Sequence, residues 1–252
     1  MLEVEHLNKS FAGLPVLSDI SFQVEEGEFV SIIGPSGSGK STIFNLLTGI
    51  LSADAGDIHY NQVPVESDRH PFAYMPQEDT LMPWRSVIDN AVLPQEILGA
   101  NKKEARRRVK EKLPEFGLEG FGDHRPPQIS GGMRQRVNLL RTYMFDRDIL
   151  LLDEPFGSLD AITRAKMHEW LLNIWRRHQK TVLFVTHDID EALYLSDRVF
   201  VLSERPGTIE KAVTVDLTRP RQRQVMSDDH FVELREQLFQ YLLPKNEDLS
   251  IE

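Results

Sequence analysis

Three observations predict an α/β fold with a mostly parallel sheet. First, the chain contains short continuous apolar runs at Phe29–Ile33, Ile149–Leu152, Val182–Val185 and Val199–Leu202. They are β-branched or aromatic and do not alternate with polar residues, as in strands covered on both faces. Second, helix-spaced apolar residues lie between them: Ile43, Leu46, Leu47 and Ile50 after Lys40, and Met167, Trp170, Leu171 and Ile174 within Ala165–Arg177. Third, strand and helix patterns alternate along the chain, which builds a sheet with helices packed on it.

Composition sets the limits. At 252 residues, 40% hydrophobic and 27% charged, the chain is near the globular average, which excludes a disordered or fibrous protein. A chain of this length buries roughly three quarters of its unfolded surface and needs no metal or disulfide to hold it. There are no cysteines, so disulfides, thiolate metal sites and cysteine nucleophiles are excluded. The net charge of -10 argues against a dedicated nucleic-acid binder, although a local basic groove is compatible with that total. No apolar run approaches the roughly 18 residues that span a bilayer. The start, MLEVEHLNKSF, is acidic and mixed, unlike an export signal, so we expect a cytoplasmic protein.

The first strand ends at Ile33 and is followed by GPSGSGKST, residues 34–42. Gly34, Gly39, Lys40 and Ser41 occupy the fixed positions of G-x-x-x-x-G-K-[ST]. Glycines let successive N–H groups turn inward as an anion nest, and the helix starting near Lys40 adds its positive dipole end. We expect Gly34, Pro35, Ser36, Gly37, Ser38, Gly39, Lys40, Ser41 and Thr42 to hold nucleotide phosphates. Lys40 reaches the β- and γ-phosphates and Ser41 offers a hydroxyl to Mg²⁺. This defines a P-loop NTPase core.

Gln77, in AYMPQED, follows a short strand and is a candidate for Mg²⁺ or water. From about Glu78 to Gln128 the chain has Pro and Gly punctuation, a basic run from Lys102 to Lys112 and no convincing strand, so it reads as a helical insertion. In ISGGM, Ser130 is a plausible N-cap, and Gly131 and Gly132 leave N–H groups open at a helix start. Taken alone, this segment reads as a common turn; the ordered set of motifs around it favours the anion site.

The strand Ile149–Leu152 ends in Asp153 and Glu154. Ligands of a parallel sheet bind beyond its carboxyl ends, so these carboxylates share a crevice with the phosphate loop. Asp153 suits Mg²⁺, and Glu154 suits proton transfer from an attacking water. His187 ends the strand Thr181–Thr186 and is either a satisfied structural histidine or a contact to the γ-phosphate or water. A last helical pattern, Asp228–Leu243, aligns Phe231, Leu234, Leu238 and Leu242 for packing on the body.

This ordered set resembles the ATP-binding subunit of ABC transporters over about residues 2–225. GPSGSGKST looks like Walker A, Gln77 like the Q-loop residue, ISGGMRQ like the signature motif, and ILLLDE like Walker B. Ser158-Leu159-Asp160 looks like the D-loop and His187 like the switch histidine, while Phe11 sits where the family stacks an aromatic ring on adenine. The resemblance implies an N-terminal antiparallel β part and an ATPase domain over residues 1–225. It also implies a helical subdomain inserted at about 78–145 and a C-terminal helical extension at 226–252.

By the same resemblance, ATP and Mg²⁺ are the cofactors, with Ser41, Gln77 and Asp153 on the metal and Glu154 and His187 catalytic. A head-to-tail homodimer would hold each ATP between one Walker A and the partner's copy of the 130–132 nest. Integral membrane permease subunits would dock near the Q-loop, where residues 79–90, DTLMPWRSVIDN, read equally as that contact and as an ordinary loop. A solute-binding protein would act indirectly, with the chain peripheral on the cytoplasmic face of the membrane and no nucleic acid involved. Departures are Met133 in place of the usual glutamine, and the absence of the usual small residues over Asn138–Met144. MPWRSVIDNA, DEPFGSLDAITR and Arg219-Pro220-Arg221 are similar to importers of nitrate, sulfonate, taurine or thiamine pyrimidine precursors. The competing classes are an ABC-type ATPase acting on DNA or the ribosome, and a non-hydrolysing nucleotide-dependent scaffold.

Overall fold

The computed structural model describes residues 1–65 and 71–243 and contains two sheets. The first is antiparallel, from β1 (Leu2–Phe11), β2 (Leu14–Val24), β4 (Ala55–Tyr60) and β5 (Val63–Pro64), in the order β2-β1-β4-β5. The second contains β3 (Phe29–Ile33), β6 (Phe72–Met75), β7 (Ile149–Asp153), β8 (Thr181–Val185), β9 (Arg198–Leu202) and β10 (Ile209–Thr214). Its order is β10-β9-β3-β8-β7-β6, parallel throughout except for β10. Every residue of β3, β7 and β8 is buried, which explains why these strands read as unbroken apolar runs.

Helix α1 (Lys40–Leu47) lies between the sheets, and its Ile43 and Phe44 share an apolar cluster with Leu2 and Val4 of β1 and Ile32 of β3. The expected helix face does not extend to Ile50, which is 63% exposed. Gly49, at φ +71°, adopts the left-handed conformation that ends a helix, and its N–H bonds the Leu46 carbonyl at 3.1 Å.

Between Met75 and Ile149 no described residue is in a strand, as the punctuation implied. The segment folds as α2 (Val87–Ile97), α3 (Lys102–Lys112) and α4 (Gly131–Tyr143). Helix α3 is the basic run, and it buries only Ala105 and Val109. Residues 138–144 pack well without small side chains. Leu140 and Met144 enter the core, and the buried Asn138 amide donates to Asp79 Oδ1 at 3.2 Å.

Helix α5 (Ala161–His178) starts one turn before the periodic pattern, because the Asp160 carboxylate caps the Ile162 and Thr163 N–H groups at 3.1 and 3.0 Å. Helix α6 (Ile189–Leu195) follows β8. Helix α7 (Asp229–Leu242) buries Phe231, Leu234 and Leu238 against Ile33, Val199 and Val201 of the parallel sheet. Residues 244–252 of the expected C-terminal extension lie outside the described residues.

Candidate nucleotide site

The strand order sets the site. β3, β8 and β7 are neighbours, so residues 34–42, His187 and Asp153-Glu154 leave the sheet at one edge. β6 pairs with β7 and delivers Gln77 two residues past its end. A cleft of about 590 Å³ opens there, lined by Ser36, Gly37, Gly39, Lys40, Ser41 and Thr42 of the loop, and by Gln77, Glu154 and His187.

The loop's shape depends on Gly39, at φ +103°. A Cβ there would fall 2.5 Å from Leu17 Cδ2, so a side chain would displace Leu17 in addition to straining the backbone. The Lys40 ammonium donates to the Gly34 and Pro35 carbonyls, each at 2.9 Å, which closes the loop on itself. Burial pushes the Lys40 pKa down, and the charges of Glu154 and Asp153 oppose that shift. The Ser38 hydroxyl is buried without a partner.

Asp153 is 2% exposed. Its Oδ2 accepts from the Tyr74 hydroxyl at 3.2 Å, and its Oδ1 is buried without a hydrogen-bond partner. Burial raises the carboxyl above its ordinary range and Glu154 adds to the shift, whereas the Ser41 and Tyr74 hydroxyls and Lys40 work against it. An orphaned carboxylate oxygen beside a serine hydroxyl fits a hard divalent cation, which takes oxygen ligands. Among the described residues no group of three His, Asp or Glu could hold a metal. This fits Mg²⁺, which takes one or two carboxylates and fills the rest of its shell from phosphate and water.

Glu154 is held in the left-handed region at φ +43°, a strained conformation for a side-chain-bearing residue. Its N–H bonds the Val185 carbonyl at 2.9 Å, and its own carbonyl accepts from Gly157 at 3.2 Å. The result is a carboxylate turned into the cleft. Glu154 Oε2 accepts from Gln77 Nε2 at 3.1 Å and meets His187 Nδ1 at 3.2 Å.

Not every expected residue enters this cleft. Phe11 is 42% exposed at the end of β1, with the Lys9 ammonium 5.6 Å from its ring, and Val16 is the β1–β2 residue that lines the cleft. Ser130, Gly131 and Gly132 are absent from the lining. Ser130 caps α4 by accepting from the Met133 N–H at 3.2 Å, so the substitution at 133 leaves this backbone contact in place. The 130–132 segment lies beside the 158–160 turn, with Thr163 Cγ2 only 3.0 Å from where a Gly132 Cβ would be.

Sequence reasoning missed four contributors. Arg205 lines the cleft and donates to the Gly37 carbonyl at 3.1 Å, and Val16 faces the same space. Val16 comes from β2 and Arg205 from the loop after β9, with no motif to mark either. Tyr74 could have been found, since it lies three residues before Gln77 on the strand paired with β7. The buried His168–Glu191 contact, at 2.6 Å, had no signal. Glu191 Oε2 takes the Thr186 hydroxyl and so braces the turn that carries His187.

A glycine-bearing strand-to-helix loop, a lysine closing it and an Asp-Glu pair at a neighbouring strand end define a P-loop nucleotide hydrolase. Residues 17–157 match the family described as ABC transporter. Relatives include a formylaminopyrimidine import ATP-binding protein of Halalkalibacterium halodurans, 45% identical and covering 81% of each chain. Another is a taurine import ATP-binding protein of Yersinia pestis, 37% identical over 99% of this chain and all of that one. The dimeric structure of a bacterial ABC transporter cassette superposes with a TM-score of 0.74 at 30% identity, covering 86% of this chain and 100% of that one. The chain belongs to the ABC transporter family, as an ATP-binding chain and ATPase.

Proposed function

We propose that the chain powers an importer of a small solute as a head-to-tail homodimer with two ATP molecules held between the subunits. One observation supports this reading: Ser130, Gly131 and Gly132 are not among the residues that line the cleft at Lys40, as expected where their nest serves the nucleotide of another copy. A second copy supplies the missing nest.

In this reading the 34–42 backbone and Lys40 hold the β- and γ-phosphates, and Phe11 takes the adenine ring. Ser41, Gln77 and Asp153 hold Mg²⁺, which offsets phosphate charge when bound. Glu154 takes the proton of the attacking water, a role suited by its position 3.1–3.2 Å from the two donors that fix it. His187 orients that water and the γ-phosphate. Loss of the γ-phosphate removes the anion that both nests share, and the dimer opens.

Opening is passed on through the segment after Gln77. Asp79 pairs with Arg134 of α4 at 3.3 Å, and Arg141 of α4 donates to the Thr80 carbonyl at 2.8 Å. Trp84, 69% exposed in the same segment, is our contact for an integral membrane permease subunit. No helix among the described residues is long and apolar enough to cross a membrane, so translocation falls to those subunits. The ATPase domain is assigned to residues 1–225, with 78–145 inserted and 226–252 as an extension. The chain sits peripherally on the cytoplasmic face, and a solute-binding protein acts through the permease.

The names of the relatives favour taurine, another sulfonate or a formylaminopyrimidine as solute, and the resemblance of the sequence motifs adds nitrate. Light scattering on Glu154→Gln with and without Mg-ATP tests the composite site. A nucleotide-dependent dimer is expected, and a protein that binds ATP yet stays monomeric both alone and with its permease sinks the reading.

A further inference from the structure

A second groove, of about 600 Å³, lies between α5 and residues 219–224. Four arginines line it, Arg176, Arg219, Arg221 and Arg223, against one carboxylate, Glu169. In a chain of net charge -10 this local balance is reversed.

Two of the arginines are tied down. Arg219 bridges to Asp197 at 2.7 Å and stacks over the Trp175 ring at 4.3 Å. Arg221, 6% exposed, donates only to backbone carbonyls, among them Leu193 at 2.9 Å, Tyr194 at 3.2 Å and Ser196 at 2.6 Å. These carbonyls belong to the C-terminal end of α6, where a helix favours a cation. Among the described residues no carboxylate is hydrogen-bonded to Arg221; backbone carbonyls hold it, and the charge of Asp197 favours it from a distance. Burial and the neighbouring Arg219 push its pKa down to about 10.

Arg176 and Arg223 differ. Both are exposed, and neither makes a hydrogen bond or ion pair with a described residue, although the floor beneath them is already positive. Like charges so arranged repel, and Glu169 is the one carboxylate among the described residues that lines the groove with them. Their guanidinium forks match oxyanions in a bidentate way. Asn173, Gln222 and Gln224 add neutral donors. The volume falls in the range of roughly 300–1,000 Å³ for small-molecule sites.

We propose that this groove binds a small molecule bearing a sulfonate, sulfate or phosphate group, with the oxyanion on Arg176 and Arg223. The site is separate from the nucleotide cleft and shares no lining residue with it.

The test uses the full chain saturated with Mg-ADP, so that the phosphate loop is filled. Inorganic sulfate is the probe, exchanged for chloride at constant ionic strength while the thermal midpoint is read. The wild-type protein should show a saturable rise of roughly 3–5 °C at ten times the Kd. In R176Q/R223Q that component should vanish, leaving only the linear rise caused by an excluded salt. The ADP-dependent shift should persist, which reports an intact fold, and R223Q alone should weaken sulfate binding by a smaller factor. A saturable rise of equal size in the double variant, or only a linear rise in the wild type, overturns the proposal.

Discussion

Replacing Asp153 by Asn should make the nucleotide-free protein more stable while abolishing its Mg²⁺-dependent hydrolysis. Asp153 is 2% exposed, with one carboxylate oxygen unpartnered. Lys40 attracts the charge, but burial and Glu154 outweigh Lys40 and both hydroxyls, so the folded chain binds the Asp153 proton more tightly than the unfolded chain does. The charged form is therefore a net cost to the fold at neutral pH. A buried polar atom left unpaired costs roughly 1–3 kcal/mol. Asn keeps the shape and removes the charge, so we take the low end, a gain of about 1 kcal/mol, or about 2–4 °C in a chain of this size. The sign can be checked against pH. Below the ordinary carboxyl value of 3.8 the wild-type side chain is neutral and the two proteins should match. As pH rises through the raised folded value the wild type loses stability relative to the variant, and above it the gap is constant. Calorimetry at pH 3 and pH 8, with and without Mg-ADP, measures all of this. A lower midpoint for the variant at pH 8, or the same gap at both pH values, would refute the reasoning.

Three further outcomes follow from the site. Glu154→Gln should bind ATP normally and release phosphate at least about 10²-fold more slowly, whereas near-normal release would remove Glu154 from the role of base. Gly39→Ala combines a left-handed backbone with a 2.5 Å approach to Leu17 Cδ2, and should cost roughly 2–4 kcal/mol in a denaturant melt and lose ATP binding. Ser130→Ala removes the cap on α4, so it should cost about 1 kcal/mol of stability. Placed on the Glu154→Gln background, it should also weaken the ATP-dependent dimer in light scattering, and an unchanged dimer would separate the 130–132 nest from nucleotide.

The legible parts of the molecule were those whose physics is local. A strand buried on both faces must be continuously apolar, so β3, β7, β8 and β9 stood out, and the phosphate loop was visible because its chemistry fixes glycines and a lysine at set intervals. The helix at Lys102–Lys112 was legible for the opposite reason, since so charged a run buries only two side chains. What failed to show depended on neighbours distant in sequence. Val16 and Arg205 reach the cleft only because the 203–208 loop folds onto β2, with the Gly207 N–H bonded to the Val16 carbonyl at 2.8 Å. The end of α1 was misjudged because periodicity at Ile50 outweighed Gly49, whose backbone freedom decides where the helix stops. The strain at Glu154 has no trace in residue type at all.

That strain gives the site its logic. A glutamate in an ordinary extended conformation after β7 would continue the strand direction, and the left-handed turn at φ +43° instead brings its carboxylate to Gln77 and His187. Those two donors come from different sides: Gln77 follows β6 at the sheet edge, and His187 follows β8, braced by Glu191 and His168. The His187 side is anchored by buried groups, whereas the Gln77 side leads within two residues to Asp79, which is tied to Arg134 and Asn138 of α4. By these contacts a shift of α4 would reach Gln77 before His187. In the proposed dimer α4 is also the helix whose first turn meets the partner's ATP. In that reading α4 would link occupancy of the partner's nucleotide to the polar contacts of Glu154, the proposed base.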